Sequence, residues 1–368
     1  MNIKYKINNN IHKITFCKNK EEPDISKDLS SLLSDRKILL IIDKNIDKNI
    51  IKNLTKDLSI SDYHTSIMQV QGNKFRKNEK FMFRIIDELI KRKFTKKSVV
   101  ISCGGGIVGD VSALASSLYL RGLIYYHIPT TMTAIVDSCI GGKTGINYNK
   151  IINSVGNYYH PKNVFISKNI INLIPKREYN AGIPEIIKCG LIDNVRILNI
   201  LQTSKKKLLT REFKFLSKLI NLTLKTKIKF FKDDIYEDGK RLSLNFGHTY
   251  AHAIEMAIKS GKKQEIRHGE AVGIGMLCEI YYSEGNSHKF KLLEKILKIY
   301  NLPTNLKYFR KIKKSKYLMD QIYKSIFLDK KRISKHPRCV KINKIGKASI
   351  IEMKDYSRIR QTINDVIF

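Results

Sequence analysis

His248 and His252 stand four residues apart in NFGHTYAHAIE (245–255), so on a helix they share one face. His268 opens HGEAVGIG, and Glu185 lies in IPEIIKCG. A carboxylate with two imidazoles is a common catalytic zinc set that keeps one coordination position open. Glu255 and Glu270 are competing acids, and the spacing leaves open whether His252 is a ligand, a proton-transfer group or core packing. A second set of residues suits phosphate. Gly104, Gly106 and Gly109 form GxGxxG, where glycines admit positive φ and let backbone N–H groups approach an oxyanion. The acid that a standard dinucleotide fingerprint carries about 20 residues later has no counterpart here, and Asp43 is the better ribose partner. Thr130, Thr131 and Asp137 follow the next strand. Gly141-Gly142-Lys143-Thr144 then sets a lysine between glycines and a threonine, which suits an oxyanion although the spacing is not that of a P-loop.

Such residues need a scaffold. KILLIID (37–43) is an apolar run ending in an acid and predicts a buried parallel strand. KKSVVISCGGGIVGD (96–110) predicts a second strand, a glycine turn and a helix that DVSALASSLYL continues. LIYYHIP (123–129) is a third strand, stopped by proline. This alternation implies βαβ units. From about Arg177 the periodicity turns helical, with few strand signals. The expected organisation is an α/β nucleotide-binding domain with a parallel sheet over 1–177, then a mainly α-helical metal- and substrate-binding domain over 178–368.

Bulk composition narrows the classes. The 368 residues suffice for two domains, and 42% hydrophobic content supports a core. The net charge of +36 would suit a nucleic-acid binder, but the lysines are spread along the chain, and abundant Ile and Asn with no Trp fit AT-biased codons. The acids and histidines of the motifs, without aromatics interleaved in a basic stripe, argue against a specific nucleic-acid site. A positive field would still steer an anionic small molecule. Cys17, Cys103, Cys139, Cys189, Cys278 and Cys339 form no CxxC pair, which predicts reduced thiols and a cytoplasmic setting. No apolar run is long enough for a bilayer, and the first residues lack a signal-peptide stretch, so no membrane partner is expected.

Taken together, GGGIVGD, YLRG, IPTTMTAIVDSCIGGKTGIN, GIPEIIKCGLI, LNFGHTYAHAIE, HGEAVGIG and LDKK resemble the 3-dehydroquinate synthase family, in its order and spacing across roughly residues 37–350. The resemblance implies a metal- and NAD-dependent lyase with its active site in a cleft between the two domains. The implied reaction converts 3-deoxy-D-arabino-heptulosonate 7-phosphate to 3-dehydroquinate and phosphate, by transient NAD oxidation, β-elimination, reduction and intramolecular aldol closure. It implies zinc or cobalt(II) on Glu185, His248 and His268, with His252 turned to the substrate. Lys143, Asn153, Asn245, His252 and Lys330 would hold the phosphate, with Arg121 reaching across from a second subunit of a homodimer. Lys227 and Arg241 would take the carboxylate, and Asp137 and Lys188 the ring hydroxyls. For NAD it implies Asp43, Gly105, Gly106, Ile107, Asp110, Thr130 and Thr131.

Three departures from the family pattern bear on nucleotide affinity. Asn73 stands where an acid is usual, with Arg76 in place of lysine; Ile152 replaces a lysine; Leu173 replaces a threonine. The alternatives are another sugar phosphate cyclase, from which Lys227, Arg241 and Asn245 would distinguish this chain, and a metal-dependent polyol dehydrogenase, which would not need GGKTGIN or LDKK.

Overall fold

A computed structural model describes residues 2–17, 25–29, 37–60, 63–73, 77–149, 151–258, 266–328 and 336–368. The chain divides into two compact units, Met1–Pro175 and Lys176–Phe368.

The first unit is built on the apolar runs. Its strands are β1 (Asn2–Ile7), β2 (Asn10–Cys17), β3 (Lys37–Asp43), β4 (His64–Val70), β5 (Val99–Gly104), β6 (Ile124–Pro129), β7 (Lys143–Tyr148), β8 (Ile151–Tyr158) and β9 (Asn163–Ser167). Seven of them form one sheet in the order β1-β2-β9-β6-β5-β3-β4, and β7 and β8 pair as a separate antiparallel hairpin. Only the β1–β2 pair of the large sheet is antiparallel. Strands β5 and β9 are buried at every position, as expected of parallel strands covered on both faces. Side-chain alternation sorts β3 between two cores. Leu39 and Ile41 pack with the helices Glu79–Lys91 and Gly106–Leu118, whereas Ile38, Leu40 and Ile42 pack with Lys48–Ile60.

The second unit is mainly helical. Glu185 and Lys188 lie on Ile183–Ile192, Lys227 on Phe213–Phe231, and Arg241 and Asn245 on the short 3₁₀ segment Lys240–Asn245. His248 and His252 lie on His248–Ile258, and His268 opens His268–Glu284. The last of these helices is buried along almost its whole length, and its glycines let neighbours come close. A Cβ on Gly269 would fall 1.7 Å from the Ala181 carbonyl oxygen, and one on Gly275 would fall 2.0 Å from that of Gly247. Gly247 itself has φ +84, a left-handed turn that immediately precedes His248. The helical periodicity gave few strand signals here, yet β10 (Arg338–Lys344) and β11 (Lys347–Glu352) form an antiparallel hairpin that turns at Gly346, φ +87. No described helix is long and apolar enough to cross a membrane.

Candidate metal centre and nucleotide site

In the first unit the expected nucleotide residues gather at the carboxyl ends of β3, β5 and β6, where open parallel sheets bind ligands. Asp43 ends β3, Gly104 ends β5, and the Thr130 N–H donates to the Gly104 carbonyl at 3.0 Å. The buried Asp43 carboxylate accepts from Asn45 N and Nδ2, both at 3.0 Å, and from Gly72 N at 3.2 Å. Gly105 caps the helix Gly106–Leu118, leaving its first N–H groups at the carboxyl end of β5. The glycines of this turn do not serve positive φ, contrary to expectation: none of Gly104, Gly105, Gly106 or Gly109 is left-handed. They serve close approach. A Cβ on Gly105 would lie 3.0 Å from Thr131, on Gly106 2.9 Å from Ser138 Oγ, and on Gly109 2.9 Å from the His127 ring. Ile107 follows on that helix, half-buried, and Asn73 is half-buried in the segment after β4.

Asp110 is engaged by a residue that the sequence did not single out. Lys77 Nζ lies 2.6 Å from Asp110 Oδ2 and 2.6 Å from Asn153 Oδ1. Because an ammonium only donates, it fixes the oxygen end of the Asn153 amide toward itself and turns Nδ2 outward as a donor. Asn153 has φ +49, and its N–H donates to Asn147 Oδ1 at 3.0 Å. Asn147 N in turn donates to the Lys77 carbonyl at 2.9 Å. Lys143 is exposed at the start of β7, after a turn at Gly141 and Gly142 with φ 93 and 68. Gly142 packs on His160, whose ring a Cβ there would meet at 2.5 Å. Asp137 is half-buried on a π turn, Ala134–Ser138. Arg121 is exposed, and both it and Leu120 are left-handed, with φ 64 and 48. Two consecutive non-glycine residues in that region store backbone strain.

In the second unit Glu185, His248 and His268 converge, each offering one ligand atom, with all three atoms within 4.8 Å of one another. Glu185 Oε1 lies 3.8 Å from His248 Nε2 and 3.7 Å from His268 Nε2. These separations are too long for hydrogen bonds. They match the spacing of roughly 3.4 Å between donors that share a tetrahedral ion at about 2.05 Å. The outer nitrogens are held: His248 Nδ1 faces the Phe246 carbonyl at 3.2 Å, and His268 Nδ1 faces Glu255 Oε2 at 3.1 Å. Such partners fix the tautomer that leaves Nε2 free to ligate. The competing acids therefore have other work. Glu255 orients His268, and Glu270 accepts a two-pronged bond from Arg177 at 2.8 Å and 2.8 Å while capping its own helix through Arg267 N. Lys188, 1% exposed, pairs with Glu185 one turn back. His252 is not in the triad; its ring stacks edge-on against His248 at 5.5 Å between centroids.

Asn245, His248 and His252 also line a cavity of about 50 Å³, with Thr249, His336 and Arg338. Asn245 Nδ2 donates to Glu237 Oε1 at 2.7 Å. Lys227 and Arg241 are 6% and 2% exposed, and the Arg241 guanidinium sits 5.5 Å from the Phe231 ring and donates to the Ile235 carbonyl. Arg76 and Lys330 lie outside the described residues.

The 3-dehydroquinate synthase N-terminal model matches residues 67–181, and the 3-dehydroquinate synthase C-terminal model matches residues 182–332. The chain belongs to the 3-dehydroquinate synthase family. A 3-dehydroquinate synthase of Prochlorococcus marinus (strain MIT 9312) is 35% identical over 291 residues, covering 77% of this chain and 79% of that protein. Among solved structures, 2-epi-5-epi-valiolone synthase from Streptomyces hygroscopicus subsp. jinggangensis 5008, with NAD⁺ and Zn²⁺ bound, superposes with a TM-score of 0.83 at 19% identity, covering 96% of each chain. A 2-deoxy-scyllo-inosose synthase complexed with carbaglucose-6-phosphate, NAD⁺ and Co²⁺ gives a TM-score of 0.83 at 22% identity over 100% of each. These two similarities establish the fold, an α/β unit with a mostly parallel sheet and a helical second unit. The residues that sequence reading of this family member did not single out are Lys77, Glu255 as an orienting group, and Arg338.

Proposed function

We propose that the protein is a 3-dehydroquinate synthase, converting 3-deoxy-D-arabino-heptulosonate 7-phosphate to 3-dehydroquinate and inorganic phosphate. The observation that carries this reading against other cyclases of the fold is the pair of deeply buried cations, Lys227 and Arg241, on elements that pack together. Two such cations offer charge-assisted hydrogen bonds to a substrate carboxylate, a group that the substrates of carboxylate-free cyclases lack.

In this reading Glu185, His248 and His268 hold zinc or cobalt(II), and Asp43, Asn73, Gly105, Gly106, Ile107, Asp110, Thr130 and Thr131, together with Arg76, hold NAD⁺. When bound, the metal would supply Lewis acidity at a ring hydroxyl and NAD⁺ a reversible hydride acceptor, so neither would be consumed. The chain's own residues do the rest. Lys143, Asn153, Asn245, Lys330 and Arg121 supply donors to the phosphate, whose charge-assisted hydrogen bonds are the strong ones. Lys227 and Arg241 fix the carboxylate, and Asp137 and Lys188 orient the hydroxyls. His252, one helical turn beyond His248, is placed to donate or take a proton at the phosphate. Fixed positions and charges of this kind lower barriers without reorganisation during the reaction. The working form is a homodimer in which Arg121 serves the neighbouring subunit, and its setting is the cytoplasm.

The test measures phosphate release and product identity with purified protein, NAD⁺ and Zn²⁺, with EDTA as control. Release from the heptulosonate phosphate that needs both additions, with no release from glucose 6-phosphate, supports the reading. Turnover of the carboxylate-free sugar phosphate alone would replace it with the second reading, a cyclase acting on sugar phosphates that carry no carboxylate.

A further inference from the structure

Glu279 is a fully buried carboxylate in the middle of the helix His268–Glu284, and the reaction proposed above makes no use of it. Its Oε1 accepts from Thr249 N at 3.3 Å, and its Oε2 accepts from Val340 N at 2.8 Å. Gly247 N also points to it. One side chain therefore ties three elements together: its own helix, the N-terminus of the helix that begins at His248, and the strand β10. A second tie runs in parallel, from Thr249 Oγ1 to the Arg338 carbonyl at 2.8 Å. Gly247 and Thr249 flank His248, so both ties act on the turn that carries the histidine. The helix N-terminus presents orphan N–H groups and a partial positive charge, which a carboxylate satisfies.

We propose that Glu279 is a positioning residue for the metal centre: by clamping the backbone on either side of His248 to β10, it holds His248 Nε2 at ligand distance from Glu185 and His268. The proposal rests on the reading of that triad as a metal site. Its geometry asks for two acceptor oxygens. Burial pushes the carboxyl up to about 8, and the clamp does not depend on which form the group takes. Either form keeps two oxygens able to accept an N–H, whereas a glutamine amide offers one oxygen and a nitrogen that only donates. Glu279→Gln thus keeps the shape and breaks one tie.

The experiment is a zinc titration of the metal-free, full-length protein against a chromophoric chelator, with thermal unfolding followed in parallel. Glu279→Gln is expected to weaken zinc binding by ~10–100-fold, the usual effect of losing an orienting partner. Thr249→Val, which removes the hydroxyl that reaches the Arg338 carbonyl and also bonds Glu279, is expected to weaken it in the same direction by a smaller factor, since the backbone ties to Glu279 remain. A Glu279→Gln protein that melts earlier but binds zinc as the parent does would reduce the residue to a packing role and overturn the proposal. Should that variant not fold, unchanged zinc affinity in Thr249→Val overturns it equally. His248→Ala separates the two ideas. If it binds zinc normally, the metal reading itself fails; if it loses zinc while both clamp variants keep it, only the positioning role fails.

Discussion

At the scale of single residues, the question raised by two histidines one turn apart has a geometric answer. His248 joins Glu185 and His268, while His252 stays outside the group. His248→Ala is expected to lose bound zinc and His252→Ala to keep it, with turnover lost in both; metal content by atomic emission checks this, and equal loss would return both histidines to the ligand set. Lys77 carries a second expectation. Its ammonium pairs with Asp110, one of the residues proposed for NAD⁺, and it is only 12% exposed. If the proposed nucleotide site is right, Lys77→Met would leave the Asp110 carboxylate without its ammonium partner and lower NAD⁺ affinity by ~10-fold, the worth of one charge-assisted hydrogen bond. Calorimetric titration reads it, and Lys77→Arg should restore part of the loss. Nothing in the sequence pointed to Lys77. In a chain with 69 Lys and Arg, one more lysine carries no signal until the fold brings an acid and an amide to it. Histidines and acids inside apolar helical stretches are rare enough to stand out, but their spacing left Glu255, Glu270 and His252 open, and only the family resemblance singled out Glu185, His248 and His268.

Elements place those residues, and glycines set how closely the elements approach. Gly275 is the sharpest case, since the atoms a Cβ would meet are backbone: the Gly247 oxygen at 2.0 Å and Ala251 N at 3.0 Å. Neither can swing aside. Gly275→Ala is expected to lose about 2–3 kcal/mol, a fall in Tm of roughly 5–10 °C. It should also weaken zinc binding, because the displaced turn leads into His248. Unchanged Tm would mean that the two helices have slack. His127 on β6 tests the packing beneath the glycine turn. It is buried against Gly109 and bonded to Ser102 Oγ at 2.8 Å, and burial lowers its value from 6.5 to about 4. The native state then binds fewer protons than the unfolded chain below pH 6.5. Its contribution is present in full above pH 6.5 and is lost as pH falls through 4, about 3 kcal/mol in all. Urea unfolding across that range, compared with His127→Gln, should show a flatter profile in the variant.

Strands β3, β5 and β6 were legible because burial on both faces demands unbroken apolar runs. The edges were not. Strand β1 reads NIKYKI, which alternates exposed and buried residues strictly and so lacks the unbroken apolar run that marked the central strands, and β10, RCVKINK, does not alternate cleanly. The glycine turn between a strand and a helix was legible, but the reason for its glycines was not, because close approach depends on Thr131, Ser138 and His127, which arrive from elsewhere in the chain.

For the whole molecule, charge makes a prediction that the site does not. A formal charge of +36 attracts any polyanion, and such binding releases counterions. Retention on duplex DNA is expected at about 50 mM salt and is lost by about 200 mM, with no preference among sequences. Retention at high salt, or a preferred sequence, would call for a nucleic-acid role. The same field predicts that kcat/KM for an anionic substrate falls as ionic strength rises while kcat holds, since steering acts on encounter.

The buried helix His268–Glu284 has a further consequence, one of timing. It carries Gly269, Gly273, Gly275 and no exposed face along most of its length, so it gains little as an isolated helix. It becomes stable only once Ala181, Gly247 and their helices are in place around it. The three donors also come from separate helices far apart in sequence, so the loops between them must close before the donors can meet. During refolding, zinc capture is therefore expected to be among the last events, a reporter that the second unit has finished assembling.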